Sequence, residues 1–275
     1  MVWSTIVSRA KASNARIAVG VGETYSDKTV KSAERAAAEG FAKVTLVSAH
    51  HIDTALPIVV SEKPEQALIG LLKNNQVDGV VRGSLGANST LKALKATMGI
   101  KKVMRVSLLK TPDNKFFFFA PVGVDEGWTV EEKVELGELG VDLVRRFGIE
   151  PKVGIMSGAR LDDRGRSARV DKSLDDAVAV VKALREKGID AHDAQILIED
   201  AVNEYQYIIA PDGFSGNLIF RALCLVGRGE GYGAPLVGTD VVYVDTSRAG
   251  EGYENAICMA SALASKNCDD FTMKK

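Results

Sequence analysis

Residues 16–48 read RIAVGVGETYSDKTVKSAERAAAEGFAKVTLVS. Arg16–Val21 is a short apolar run ending in Gly20 and Gly22. Ser26–Glu39 is alanine-rich, opens on a serine suited to capping a helix, and is followed by Gly40, which fits a helix C-terminus. Ala42–Ser48 is the next apolar run. Strand, helix and strand within about 30 residues is the spacing of a βαβ unit, which makes the two strands parallel.

The pattern continues outward. Ile58–Val60 reads as a short third strand and Pro64–Lys73 as a helix. Val77–Val81 is a strand running into Arg82-Gly83-Ser84-Leu85-Gly86, and Thr90–Met98 is a helix closed by Gly99. Strands alternating with helices predict an α/β fold, a parallel sheet covered on both faces. The middle of the chain differs. Val103–Leu109 and Phe116–Val122 are apolar runs separated by TPDNK, which predicts a hairpin. Four consecutive phenylalanines, Phe116–Phe119, fit a strand buried on both faces. Beyond them, Val130–Phe147 reads as an amphipathic helix, Lys152–Met156 as a strand, Leu161–Lys172 as a charged loop and Ser173–Lys187 as a helix. Tyr207–Ala210 is a strand, Asn217–Val226 a helix, Gly227–Gly233 a glycine-rich connection, Val241–Val244 a strand and Tyr253–Ala264 the last helix.

The 275 residues carry 35 Lys and Arg against 36 Asp and Glu, a net charge of -1. That balance argues against nucleic acid or an anionic membrane as the main partner. No stretch approaches the ~18–20 continuous apolar residues of a membrane span. The start, MVWSTIVSRAKAS, lacks the apolar core of a secretion signal. Cys224, Cys258 and Cys268 are odd in number and form no CxxC, which suits a reducing cytoplasm. With His50, His51 and His192 as the histidines, no metal-ligand spacing is present and no metal site is expected.

Four stretches can carry chemistry. Gly20-Val21-Gly22-Glu23-Thr24 joins a strand to a helix, as a tight turn capped by Thr24 or Ser26 or as a cradle for an anion at a helix N-terminus. Arg82, Gly83 and Ser84, with Asn88 and Thr90 beyond, follow a strand end, where open parallel sheets hold ligands; helix capping by Ser and Asn is the alternative. Asp212 at a strand end and Asn217 at a helix start, in Pro-Asp-Gly-Phe-Ser-Gly-Asn, can bind ligand hydroxyls or order a neighbouring loop, or simply make an Asp-Gly turn. Ser247 and Arg248 offer a hydroxyl and a fork-shaped cation for phosphate or carboxylate. Glu254, seven residues after Ser247, either complements the helix dipole or serves as a general base.

The succession RIAVGVGE, VDGVVRGSLGANSTLKAL, IEPKVGIMS, YIIAPDGFSGNLIFRAL and VDTSRAGEGYENAICMASALA resembles the phosphate acetyl/butyryltransferases over about residues 16–264. DGFSGNL is also similar to the matching segment of the PlsX acyltransferases. By length and by TYSDKT and DGFSGN, the subgroup that the chain resembles is the MtxX proteins of methanogenic archaea, which carry a methyltransferase-related label. The resemblance implies a three-layer α/β/α fold of the isocitrate/isopropylmalate dehydrogenase type, with a cleft between two domains. These would be residues 1–105 with 232–275, and residues 106–231. It also implies a homodimer. Ser247 and Arg248 align with the Ser-Arg pair that binds and stabilises the acyl phosphate. Glu254 aligns with the carboxylate that deprotonates the coenzyme A thiol, here Glu rather than Asp. Asp212 and Asn217 match the acid and amide of the Pro-Asp-x-x-x-Gly-Asn segment, and Ser157 the serine after KVGIM. No tightly bound cofactor is implied; coenzyme A enters as a co-substrate. Three passages depart from the enzymes: Gly86-Ala87-Asn88 stands where they carry His-Thr-Thr, Ser157-Gly-Ala-Arg-Leu-Asp-Asp-Arg-Gly replaces Ser-Thr-x-Gly-Ser, and VVYVDTSR replaces the Pro-Val-Asn-Asp wording.

Three functions compete: a transferase acting on an acyl phosphate and a thiol or on a related phosphorylated small molecule, a methyltransferase-associated protein working with a corrinoid partner, and a ligand-binding protein without catalysis. The expected site gathers Arg82, Ser84, Asp212, Asn217, Ser247 and Arg248 in the cleft.

Overall fold

The computed structural model of the chain describes residues 2–265; Cys268 lies outside the described residues. In chain order, the first elements are α1 (Val2–Ser13), β1 (Arg16–Val21), α2 (Ser26–Ala38), β2 (Lys43–Ser48), β3 (Ile58–Val60), α3 (Pro64–Lys73), β4 (Gly79–Val81) and α4 (Ala87–Met98). Next come β5 (Ser107–Lys110), β6 (Phe116–Ala120), α5 (Val130–Arg145), β7 (Val153–Met156), α6 (Ala168–Glu186), β8 (Ala191–Gln195), α7 (Ile198–Glu204) and β9 (Tyr207–Ile209). Helix α8 (Gly213–Arg221) continues into a π turn, Ala222–Val226, and is followed by β10 (Glu230–Gly231), β11 (Ala234–Pro235), β12 (Tyr243–Asp245) and α9 (Glu254–Leu263). The chain divides into two compact units, residues 2–103 with 232–265, and Met104–Gly231.

The first unit is built on a sheet of order β11-β12-β4-β1-β2-β3, parallel except for the antiparallel β11–β12 pair. Its strands are apolar on both sides because both sides are covered. Ala18, Val47, Val80 and Tyr243 pack with Leu68, Ile69 and Leu94 of α3 and α4, while the alternate residues Ile17, Val19, Val81 and Val244 are buried as well. Helices α1 and α2 each pack on α9, and the three make the other layer. Helix α9 is buried along almost its whole length, from Ala256 to Leu263, and its small residues let α1 and α2 approach. The chain runs outward from β1 to β2 and β3, then returns to place β4 on the other side of β1. The β1/β4 boundary is therefore a topological switch point, where open parallel sheets leave room for a ligand beyond the strand ends.

The second unit has a sheet of order β10-β5-β6-β9-β7-β8. The predicted hairpin is β5–β6, antiparallel, and β6, β9, β7 and β8 run parallel. The phenylalanine run is buried on both faces. Phe117 and Phe119 share a cluster with Met156, Tyr205 and Ile208, while Phe118 stacks on Phe147, centroids 6.1 Å apart.

Several elements differ from expectation. Helix α1 carries little apolar signal because only Ile6 and Ala10 are buried. Strand β8 reads AHDAQ because it lies at the sheet edge. Helix α6 starts at Ala168, inside the expected loop. Its first turns face water, and Ser167 caps it by accepting a hydrogen bond from the Val170 N–H at 3.3 Å. Helix α8 starts at Gly213 rather than Asn217, because Asp212 is its cap.

Candidate functional site

In the first unit β12, β4 and β1 lie side by side and parallel, so their carboxyl ends open together. The turns after β1 and β4 interlock. The Gly22 N–H donates to Ser84 Oγ at 2.9 Å, and the Ser84 N–H donates to the Gly20 carbonyl at 3.1 Å. The Ser84 hydroxyl also pairs with Thr29 Oγ1 at 2.8 Å. Gly83 has φ 59°, a left-handed conformation, and a Cβ there would overlap the Gly20 carbonyl oxygen. These glycines let one turn pack on the other.

Arg82 is 4% exposed, and its fork is committed inside the unit. Nε bonds to Asp245 Oδ1, Nη1 donates to the Leu85 carbonyl at 2.6 Å, and Nη2 donates to the Thr246 carbonyl. Asp245 also accepts the Thr246 N–H at 2.9 Å, and the Thr246 hydroxyl donates to the Gly83 carbonyl at 2.7 Å. Arg82 thus braces the end of β4 against the end of β12, and Ser84 braces β4 against β1. Both were candidates for ligand contact, and both turn their polar atoms inward.

Beyond the brace lies the turn 247–250, closed by the Gly250 N–H on the Ser247 carbonyl at 3.2 Å. Lys28 of α2 holds it. Its Nζ donates to the Arg248 carbonyl at 2.8 Å and to the Gly250 carbonyl at 2.5 Å, and lies 4.4 Å from the Tyr25 ring centroid. Partial burial lowers the Lys28 pKa. The side chain of Arg248 is exposed and makes no hydrogen bond or ion pair among the described residues. The Ser247 hydroxyl is likewise uncommitted there. Among the described residues the buried Tyr253 hydroxyl completes no hydrogen bond; burial pushes the phenol pKa up, against the pull of Arg82, Thr29 and Arg248. Glu254, in the first turn of α9, is held by the Arg35 guanidinium of α2.

The second unit uses its polar strand-end residues for itself. Asp212 Oδ1 accepts the Ser215 N–H at 2.8 Å and caps α8. Gly213 and Gly216 admit the carbonyls of Gly123 and Pro121, which a Cβ at either position would overlap. The Asn217 side-chain amide donates to the Val122 carbonyl at 2.8 Å. Ser157 is fully buried and donates to the Ala159 carbonyl at 2.8 Å. Arg105 and Glu126, both buried, pair through Nε and Oε1 at 2.7 Å, and burial raises Glu126 above its ordinary range despite that partner. Buried Lys133 donates to the Pro211 carbonyl at 3.2 Å, and desolvation lowers its pKa. Asp212 thus serves as the N-cap of α8, and Asn217, inside the helix, orders the neighbouring loop at Val122, a reading kept open beside ligand binding.

The candidates therefore fall into two sets. Arg82, Gly83, Ser84, Ser247, Arg248 and Glu254 belong to neighbouring strand ends of the first unit; Ser157, Asp212 and Asn217 belong to the second. Sequence reasoning passed over Lys28, Arg35 and Asp245. Asp245 was findable, as a carboxylate ending the apolar run VVYV. Lys28 and Arg35 sit two turns apart on one face of α2, but nothing in their spacing links them to partners more than 200 residues away. The Cys224 and Cys258 thiols are pushed up to about 12 by burial, so neither is a nucleophile at neutral pH.

Residues 54–206, more than half of the chain, match the family model described as phosphate acetyl/butaryl transferase. The chain belongs to the phosphate acetyl/butaryl transferase family. It is similar to a Methanosarcina mazei protein named "putative methyltransferase mtx subunit X", with 45% identity over 266 residues covering 95% of each chain. The transferase fold recurs in a branched-chain phosphotransacylase from Enterococcus faecalis, at a TM-score of 0.68 and 16% identity over 90% of this chain and 98% of that one. A phosphotransacetylase from Streptococcus pyogenes gives a TM-score of 0.66 and 18% identity over 96% and 98%.

Proposed function

We propose that the chain transfers an acyl group between an acyl phosphate and a thiol such as coenzyme A, or acts on a related phosphorylated substrate, at the strand ends of its first unit. One observation carries this reading: Arg248 is left uncommitted at the end of β12 while Arg82, Lys28 and Arg35 around it are all engaged. In this reading Arg248 and Ser247 hold the phosphoryl or carbonyl oxygens. The thiol proton passes to Glu254, oriented by Arg35. The thiolate forms the C–S bond, the tetrahedral oxyanion is stabilised by the guanidinium, and inorganic phosphate leaves with the broken C–O bond. Coenzyme A is a co-substrate, with no tightly bound cofactor, and the working form is a homodimer in the cytoplasm. Free thiol should appear when the protein is mixed with acetyl-CoA or longer acyl-CoAs and inorganic phosphate, and Arg248→Ala should abolish it. No thiol release with any acyl chain would overturn the reading.

A second reading is favoured by the name of the 45%-identical relative and by Gly86-Ala87-Asn88 at the place where the transferases carry His-Thr-Thr. It makes the chain a methyltransferase-associated protein. Retention of a corrinoid protein in a pull-down, without acyl exchange, would support it. Phosphate binding without exchange or partner would leave a ligand-binding protein on the same fold.

A further inference from the structure

Around the end of β12 the engaged cations differ in what engages them. Arg82 is paired with Asp245, and Arg35 with Glu254. Lys28 makes no ion pair among the described residues. Neutral groups hold its ammonium: the Arg248 carbonyl at 2.8 Å, the Gly250 carbonyl at 2.5 Å, and the rings of Tyr25 and Tyr253, with centroids 4.4 Å and 5.3 Å away. Carbonyl oxygens and ring faces attract a cation without cancelling its charge. Burial lowers the Lys28 pKa, and no carboxylate opposes the shift. A partly buried lysine without an acid is a costly fastener for a turn. It does leave a positive charge beneath that turn, where it attracts an anion arriving on top.

The two carbonyls decide where the neighbouring N–H groups point. The peptides of this turn are trans, so each N–H lies opposite the carbonyl of the residue before it. With the Arg248 and Gly250 carbonyls drawn in to Lys28, the Ala249 and Glu251 N–H groups face away from that lysine. Arg248, Ala249 and Glu251 are exposed, and Gly250 between them is half-buried. Neither N–H has a partner among the described residues, whereas the Gly250 N–H closes the turn on Ser247. Backbone N–H groups turned to one side of a loop form a seat for an anion. We propose that Lys28 is a positioning residue: by holding two carbonyls it presents the Ala249 and Glu251 N–H groups, in the turn that carries Arg248, to the phosphoryl oxygens of a phosphate or acyl phosphate. The inference rests on the anion contact assigned to Arg248 and adds the backbone donors and the residue that aims them.

Titration of inorganic phosphate and of acetyl phosphate, followed by backbone amide NMR and by calorimetry, tests the proposal. In the parent protein the Ala249 and Glu251 amide protons should move downfield as either ligand binds. Lys28→Met should weaken phosphate binding by about tenfold or more and abolish both amide shifts, although Arg248 is still in place. Lys28→Arg should restore most of the affinity, since a guanidinium can donate to both carbonyls. The amide shifts of the parent are read whatever the stability of the variants, and the rest of each variant's spectrum shows whether it has kept its fold. A parent that binds phosphate through Arg248 without moving either amide would overturn the role of Lys28 and leave Arg248 standing. So would a folded Lys28→Met protein with the parent's affinity. A parent that binds neither ligand would overturn the Arg248 contact as well.

Discussion

The two sheets end in loops that look alike on paper: each pairs a short apolar strand with a turn of Gly, Ser, Asp and Asn before a helix. In the second unit those side chains are bound to their own backbone. Asp212 caps α8, Asn217 ties it to Val122, and Ser157 turns onto Ala159. In the first unit the same inward use stops one layer short. Arg82, Ser84 and Asp245 lock the strand ends, Lys28 fixes the backbone of the next turn, and the side chains of Ser247 and Arg248 remain uncommitted on top. A polar residue in a loop after a strand is evidence of a site only when its partners have been counted.

This contrast has measurable consequences. The largest is at the brace. Arg82→Met would take the guanidinium from the buried Asp245 carboxylate, and removing one partner of such a pair costs about 3–5 kcal/mol. Chemical denaturation should register that loss; a variant as stable as the parent would mean that Arg82 is not structural. A smaller effect is expected in the second unit, where Asp212→Ala should cost about 0.5–2 kcal/mol, the usual value of an N-cap, and leave phosphate binding unchanged. A loss of binding without loss of stability would instead return Asp212 to the site. The smallest effect concerns pH. Because burial raises Glu126, the native chain binds that proton more readily than the unfolded chain does. Its contribution to stability is present below the ordinary carboxyl value of 4.5 and is lost as pH rises through the raised native value. Glu126→Gln, which keeps an oxygen for Arg105, should flatten that slope in denaturation curves taken across pH; an unchanged slope would assign it to other carboxylates.

The β1–α2–β2 unit was legible because covered parallel strands are uninterrupted apolar runs and α2 has a strong apolar period. Strand β8 was not, because an edge strand tolerates His, Asp and Gln. Helix α1 was not, because two buried residues in twelve make no stripe. At the site, Ser247 and Arg248 were readable from their place after a strand, and through the family resemblance. The inward use of Arg82 was hidden because its partners, Asp245 and Thr246, lie more than 160 residues away. Glu254's attachment to Arg35 was hidden for the same reason.

Whether Arg248 is an anion contact is decided most directly by calorimetric titration of acetyl phosphate and inorganic phosphate into the parent protein, Arg248→Ala and Arg248→Lys. A charge-assisted hydrogen bond contributes about 1.5–3 kcal/mol, so the alanine variant should bind about 10- to 150-fold more weakly. Its unfolding should stay close to the parent's, since an exposed guanidinium adds little to the core. Lysine should recover only part of the loss, because an ammonium cannot reproduce the bidentate fork. Equal affinities for all three proteins would contradict the assignment.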